Sequence, residues 1–203
     1  MNPYYQDDYC TIYHGDCREI LPTLPKVDLV LTDPPYGSGY AAHPVVGKGK
    51  KKSNHAPQKW DNAISDLSII PNISEQFIIW GGNYYQLPPS RCWLVWIKRD
   101  APPSLSGCEL AWTNINANAK FFDWPIAATN AERIGHPTQK PIALMKWCLS
   151  FAPDAQTILD PFMGSGTTLR AAKDLRRKCI GIEIEEKYCE IAVKRLRQEV
   201  LAL

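Results

Sequence analysis

The sequence predicts an α/β sheet with helices on both faces, and three observations carry that expectation. Short apolar segments alternate with segments of helical period along much of the chain. Several of the short segments, "VDLVLTD" among them, are apolar on consecutive positions, as strands covered on both faces must be. A length of 203 residues, with 45% hydrophobic and 22% charged, suits one sizeable domain.

In chain order, "TIYHGD", "VDLVLTD", "FIIWGGN", "CWLVWIK", "TILDPF" and "KCIGIEI" read as strands, with "ELAWTN" as another. One helix follows Pro141, a residue suited to a first helical turn, and carries Ile142, Met145, Leu149 and Ala152 on its apolar stripe. A second starts near Thr167 and buries Leu169, Ala172 and Leu175. The third runs from about Glu185 to Leu201, with Tyr188, Ile191, Ala192, Leu196 and Val200 on one face and Glu190 supporting Lys194. No internal repeat or domain boundary is visible, so residues 1–203 read as a single domain. Its pattern-poor stretches, around 41–75 and 99–133, are expected to be insertions.

Composition excludes some classes. No apolar run approaches the ~18 residues of a membrane span. The first ten residues, "MNPYYQDDYC", show no basic leader, and the seven cysteines are scattered without CxxC spacing, so a cytoplasmic protein with reduced thiols is expected. Four histidines without HExxH spacing give no expectation of a metal site. The net charge of +2 is mild, but 41–60 holds Lys48, Lys50, Lys51, Lys52 and Lys59 and no acid. Such a stretch is either a solvated linker or a loop that contacts phosphates.

Two motifs carry chemistry. "TILDPFMGSGTTLRAA" is strand, glycine turn and helix, where Gly164 and Gly166 let backbone approach a ligand. It lacks the third glycine of a nicotinamide fingerprint and the GK[ST] of a Walker loop, which leaves a nucleoside-binding turn or a plain tight turn. Glu183 ends the next strand about 17 residues past Gly166, where an acid can accept from both hydroxyls of a ribose. The other motif, Asp33-Pro34-Pro35-Tyr36, closes "VDLVLT". Each proline fixes its own φ and extends the residue before it, so the Asp33 carboxylate and the Pro34 carbonyl form a rigid pair of acceptors beside an aromatic ring. Read blandly, this is a proline turn capping a strand. Read chemically, it grips the two hydrogens of an exocyclic amine on an extruded base.

With "HGDCREIL", "TDPPYG", "WGGNYY", "GHPTQKP", "DPFMGSGTT" and "GIEIEEKY" in this order, the chain resembles the amino-methylating DNA methyltransferases that use S-adenosylmethionine, in the permuted group where the catalytic tetrapeptide precedes the cofactor loop. That resemblance implies a class I methyltransferase (Rossmann-like) sheet, mainly parallel and seven-stranded, with one antiparallel strand. It implies catalysis by Asp33, Pro34, Pro35 and Tyr36. For the cofactor it implies Asp16 on the adenine amine, Glu183 on the ribose, and Phe162, Gly164, Ser165, Gly166 and Thr167 along the methionine part. Cys17, Asp33 and Asp160 stand nearby, and His136, Thr138, Gln139 and Lys140 close the other side, with Lys140 suited to a carboxylate. Adenine N6 is the target implied by an acid at residue 33, with cytosine N4 as the alternative. Methylation of RNA or a protein amide, or a non-catalytic DNA-binding relative, stand as further alternatives. Double-stranded DNA is the expected partner, held by Lys48, Lys50, Lys51, Lys52 and Lys59 and read by Arg99, Asn114, Asn116 and Asn118. A homodimer and an associated restriction nuclease are both compatible with the resemblance.

Overall fold

The computed structural model describes residues 2–35, 66–68, 70, 72–103, 105–131 and 139–198. They build one nine-stranded sheet from β1 (Tyr5–Gln6), β2 (Cys10–His14), β3 (Leu29–Thr32), β4 (Phe77–Trp80), β5 (Cys92–Ile97), β6 (Cys108–Thr113), β7 (Lys120–Asp123), β8 (Thr157–Asp160) and β9 (Lys178–Glu183). The order across the sheet is β1-β2-β9-β8-β3-β4-β6-β5-β7. From β2 to β4 every pairing is parallel; β6 then runs antiparallel to both β4 and β5. The seven expected strands are therefore present with β6 reversed. Two more lie at the edges: β7 parallel to β5, and β1 antiparallel to β2, a second reversed strand beyond the one expected.

Consecutive apolar residues in the central strands face opposite sides, as the period of two requires. Leu29, Leu31 and Ile158 enter one core cluster, while Val30 and Leu159 enter the other. The first cluster is covered by α3 (Ile142–Leu149), α4 (Thr167–Asp174) and α5 (Glu186–Arg197). The second packs under α1 (Cys17–Ile20) and the turn after it, through Ile20, Leu21, Ile70 and Ile73. Helices cover both faces, as expected. One expected detail fails: α4 ends at Asp174, and Leu175 is 42% exposed rather than buried. The chain turns there towards β9, so Leu175 leaves the stripe that Leu169 and Ala172 continue into the core. A fifth helix, α2 (Ile126–Ala131), begins where Asp100 accepts the Ile126 and Ala127 N–H groups.

Candidate active site

The parallel strands all point their carboxyl ends at one edge of the sheet, and β6, being reversed, brings its first residues to the same edge. Ligands in open α/β sheets bind at that edge. β3 delivers Asp33, β8 delivers Asp160 and the glycine turn, β9 delivers Glu183, and β6 delivers Glu109. The first two are tied together: the fully buried Thr32 hydroxyl donates to Asp160 Oδ1 at 2.8 Å, across the β3–β8 pair. Asp33 and the 164–166 turn thus leave adjacent strands.

The turn is clamped by an acid. Glu183 Oε2 accepts the Gly164 N–H at 3.0 Å and Oε1 accepts the Glu185 N–H at 2.8 Å. Burial pushes the Glu183 carboxyl up to about 7, against the pull of those two N–H groups and with the charges of Glu185 and Asp160 adding to the rise. Asp160 goes up to about 6, chiefly by burial, despite bonds from Thr168, Thr32 and Phe162, and the charge of Asp33 contributes. Gly166 sits at φ +75°, and a Cβ there would lie 2.8 Å from Ala192 Cβ, so the close approach of α5 alone demands glycine. Thr167 is buried, with its hydroxyl oxygen accepting from Arg195 Nη1 at 2.6 Å.

Asp33 is gripped on one side only. Its Oδ2 accepts from Lys140 Nζ at 2.5 Å; Lys140 also pairs with Glu109 Oε2 at 2.9 Å, and Lys98 pairs with Glu109 Oε1. The Lys140 ammonium lies 5.7 Å from the centre of the Trp80 ring. Burial raises the Asp33 carboxyl above its ordinary value; the Lys140 charge opposes that and the Glu109 charge adds to it. Burial would raise Glu109 too, but Lys140 and Lys98 together hold it at about 2. Asp33 Oδ1 is buried and has no hydrogen-bond partner among the described residues. Nor does any described residue donate to the Pro34 carbonyl. The following carbonyl, of Pro35, does accept, from the Tyr85 hydroxyl at 2.8 Å.

The other sequence-predicted residues are placed as follows. Asp16 caps α1, and both its oxygens are held by the Arg18 side chain, with Oδ1 also accepting the Arg18 N–H. Cys17 is half-buried, its thiol pushed up to about 11 by burial and by Asp16. Gln139 and Ser165 are buried, and Phe162 packs against the second core cluster. Arg99 is ion-paired to Asp123, and Asn118 accepts from Arg91 at 2.6 Å. Asn114 accepts the Phe77 N–H and donates to the Glu75 carbonyl, which staples the approach to β4. Asn116 is exposed. Tyr36, Lys48, Lys50, Lys51, Lys52, Lys59, His136 and Thr138 lie outside the described residues. Sequence reasoning passed over Glu109, Lys98, Tyr85 and Arg195; only the acid at the head of the apolar run "ELAWT" offered a signal. Among the described residues no cluster of three or more His, Cys, Asp or Glu could hold a metal ion, and no helix is long and apolar enough to cross a membrane.

The chain is similar in sequence and fold to known proteins. The N6_N4_Mtase family model, described as DNA methylase, matches residues 88–194, more than half of the chain. The chain is 25% identical, over a 262-residue alignment, to the Type II methyltransferase M.ScaI of Streptomyces caespitosus, covering 99% of this chain and 86% of that protein. It is 29% identical to the Type II methyltransferase M.HinfI of Haemophilus influenzae, covering 93% of this chain and 68% of the relative. Among solved structures, the M1.HpyAVI–SAM complex superposes with a TM-score of 0.63 at 27% identity, over 92% of this chain and all of that one. The PvuII DNA methyltransferase (cytosine-N4-specific) shares the fold, with a TM-score of 0.65 at 16% identity over 98% of this chain and 90% of its own.

Proposed function

From the premise that this chain belongs to the DNA methylase family, we propose that it methylates the exocyclic N6 of an adenine extruded from the duplex. The chain is an S-adenosylmethionine-dependent DNA amino-methyltransferase. The observation that supports the reading of the site is a pair of acceptors without a donor among the described residues, Asp33 Oδ1 and the Pro34 carbonyl, at the edge that also carries the glycine turn.

The residues at that edge suit a cationic nucleoside. Asp33, Asp160 and Glu183 end adjacent strands, and their carboxyls all sit above their ordinary values. A positively charged ligand relieves that crowding. In this reading Glu183 takes the ribose hydroxyls and Asp16 the adenine amine. Cys17, Gln139, Asp160, Phe162, Gly164, Ser165, Gly166 and Thr167 line the remainder with His136 and Thr138, while Lys140 stands between cofactor and Asp33. The bound cofactor supplies an electrophilic methyl group on a positive sulfur.

The chain's own residues supply position. An exocyclic amine is a weak nucleophile because its lone pair is delocalised into the ring. Asp33 Oδ1 and the Pro34 carbonyl accept its two hydrogens, favour the pyramidal nitrogen and aim the lone pair at the methyl carbon. The Asp33 carboxylate would stabilise the positive charge that develops on the nitrogen as the methyl–sulfur bond of the bound cofactor is exchanged for the N–C bond, and would face the proton that the nitrogen then loses. Tyr36 stacks on the base. In this reading Lys48, Lys50, Lys51, Lys52 and Lys59 bind phosphates, and Arg99 and Asn116 contribute to DNA contact. A companion nuclease and a cytoplasmic location belong to this reading, and the shortness of the recognition segments adds a second subunit.

Replacing Asp33 with Ala is expected to abolish transfer from labelled cofactor to DNA while cofactor binding by calorimetry survives; near-normal turnover would refute the assignment. Mass analysis of nucleosides from methylated DNA is expected to return N6-methyladenine, and N4-methylcytosine would move the target base.

A further inference from the structure

Four charged side chains, Asp33 among them, alternate in sign along a line in which Lys140 is buried and the others are half-buried: Lys98, Glu109, Lys140 and Asp33. Each comes from a different place. Lys98 follows β5, Glu109 lies near the head of β6, Lys140 precedes α3, and Asp33 follows β3. The antiparallel register pairs Trp96 with Glu109 and Ile97 with Cys108, which sets Lys98 beside Glu109. Lys140 is 3% exposed at its side chain, so its ammonium is held by protein groups rather than by water. Glu109 presents one oxygen to each lysine.

The consequence lies in where Lys140 can point. Without a second carboxylate, a buried ammonium would share itself between both oxygens of Asp33, and neither would remain for a substrate. Lys140 Nζ lies 2.9 Å from Glu109 Oε2 as an ion pair without hydrogen-bond geometry, while it bonds Oδ2 of Asp33 at 2.5 Å and Oδ1 is left without a partner among the described residues. We propose that Glu109 is a positioning residue of methyl transfer: by sharing Lys140 it commits one oxygen of Asp33 to the lysine and turns the other to the substrate amine. Lys98 balances the charge of Glu109 and completes the line. This rests on the reading of Asp33 given above.

The arrangement also fixes a direction in pH. The charged groups around Asp33 are Lys140 before α3, Glu109 on β6, Lys98 after β5 and Asp160 on β8, with the Cys148 thiol of α3 near Lys140. Glu109 raises the Asp33 carboxyl and Lys98 lowers it. Transfer requires Asp33 as carboxylate, so the acid limb of the kcat profile follows its ionisation. Glu109→Gln removes the nearer negative charge and moves that limb to lower pH. Lys98→Met removes a positive charge and moves it to higher pH. A loss of packing alone would not move the limb in opposite directions.

The experiment measures kcat against pH, with DNA and cofactor saturating, for the wild type and both variants, alongside cofactor affinity and thermal unfolding. The expected result for Glu109→Gln is a kcat at least tenfold lower with cofactor affinity within about threefold of wild type, and limbs displaced in opposite directions. Wild-type kcat and an unmoved acid limb in Glu109→Gln would overturn the positioning role, while an active wild type would leave the assignment of Asp33 standing. Should Glu109→Gln fail to unfold cooperatively, Lys98→Met decides: a limb moved to higher pH supports the role, and an unmoved one overturns it.

Discussion

Glu183→Gln tests the electrostatics of the cofactor edge through stability alone. In the folded protein the Glu183 carboxyl is lifted from 4.5 to about 7, first by burial and then by the charges of Glu185 and Asp160. Between those values the folded chain binds more protons than the unfolded one, so stability falls as pH rises. The contribution is fully present below 4.5 and lost as pH passes about 7. At about 1.4 kcal/mol for each tenfold change the lift is worth about 3 kcal/mol, trimmed to about 2 by the solvent reaching its open side. Glutamine has no proton to lose in this range. Its oxygen can still accept from Gly164 or Glu185, but its NH2 then faces the other donor, a pH-independent cost of about 1 kcal/mol. The variant is therefore expected to be slightly less stable than wild type at pH 5 and more stable at pH 8. The difference between the two proteins should swing by about 1.5–2 kcal/mol across that interval. Urea unfolding of both proteins at the two pH values, at one ionic strength, measures it. An identical difference at pH 5 and pH 8 would mean that Glu183 is not a strained carboxyl.

Three further outcomes follow from single contacts. Gly166→Ala must accept φ +75° and a methyl group 2.8 Å from Ala192 Cβ; thermal melts should show a loss of about 2–4 kcal/mol, of which Ala192→Gly recovers only the contact part. Tyr85→Phe removes the 2.8 Å bond to the Pro35 carbonyl; kcat should fall several-fold with cofactor affinity unchanged, as expected for about 1 kcal/mol of positioning. Asn114→Ala deletes both backbone bonds that hold 75–77; unfolding should show a loss of about 1–2 kcal/mol with DNA affinity intact, and the reverse result would make this asparagine a reader of bases.

The central strands were legible because burial on both faces writes itself into sequence: Leu29, Val30 and Leu31 are all 0% exposed and all apolar. The edge strands were not. β7 reads "KFFD" with Phe121 68% exposed, and its place is set by pairing with β5 rather than by any pattern of its own. α1 carried a usable sign, Asp16 as cap with Glu19 in the first turn, but four residues of helix make no apolar stripe. Within the site, Asp33, Gly164, Gly166 and Glu183 stood out because strained or rigid backbone is encoded in glycine and proline. Glu109 and Lys98 did not, since an ion pair across a hairpin depends on register, and register is a property of the folded sheet. Lys140 was expected on the carboxylate of the cofactor. The structure supplies the acids, which are two of this chain's own.

The same register explains why one reversed strand matters to the site. Had β6 run parallel to its neighbours, its first residues would lie at the amino edge of the sheet, and Glu109 could not reach Lys140. Because it runs antiparallel to both β4 and β5, its head stands at the carboxyl edge, with Asp33 on β3 and Asp160 on β8. The edge then holds Asp33, Asp160, Glu183 and Glu109, and only Glu109 is brought below its ordinary value by lysines. The other three remain raised, and in the free protein they oppose folding near neutral pH. A sheet chosen for stability alone would place amides or apolar groups at those strand ends. Retaining carboxyls there is reasonable if they act on a partner that brings positive charge of its own. In the proposed reaction that charge comes first with the cofactor and again on the methylated nitrogen. Cofactor affinity should therefore rise with pH through the range near 6 to 7 in which Asp160 and Glu183 ionise, and calorimetry in buffers of differing ionisation enthalpy should show protons released on binding. Affinity flat across that range would separate the acids from the cofactor.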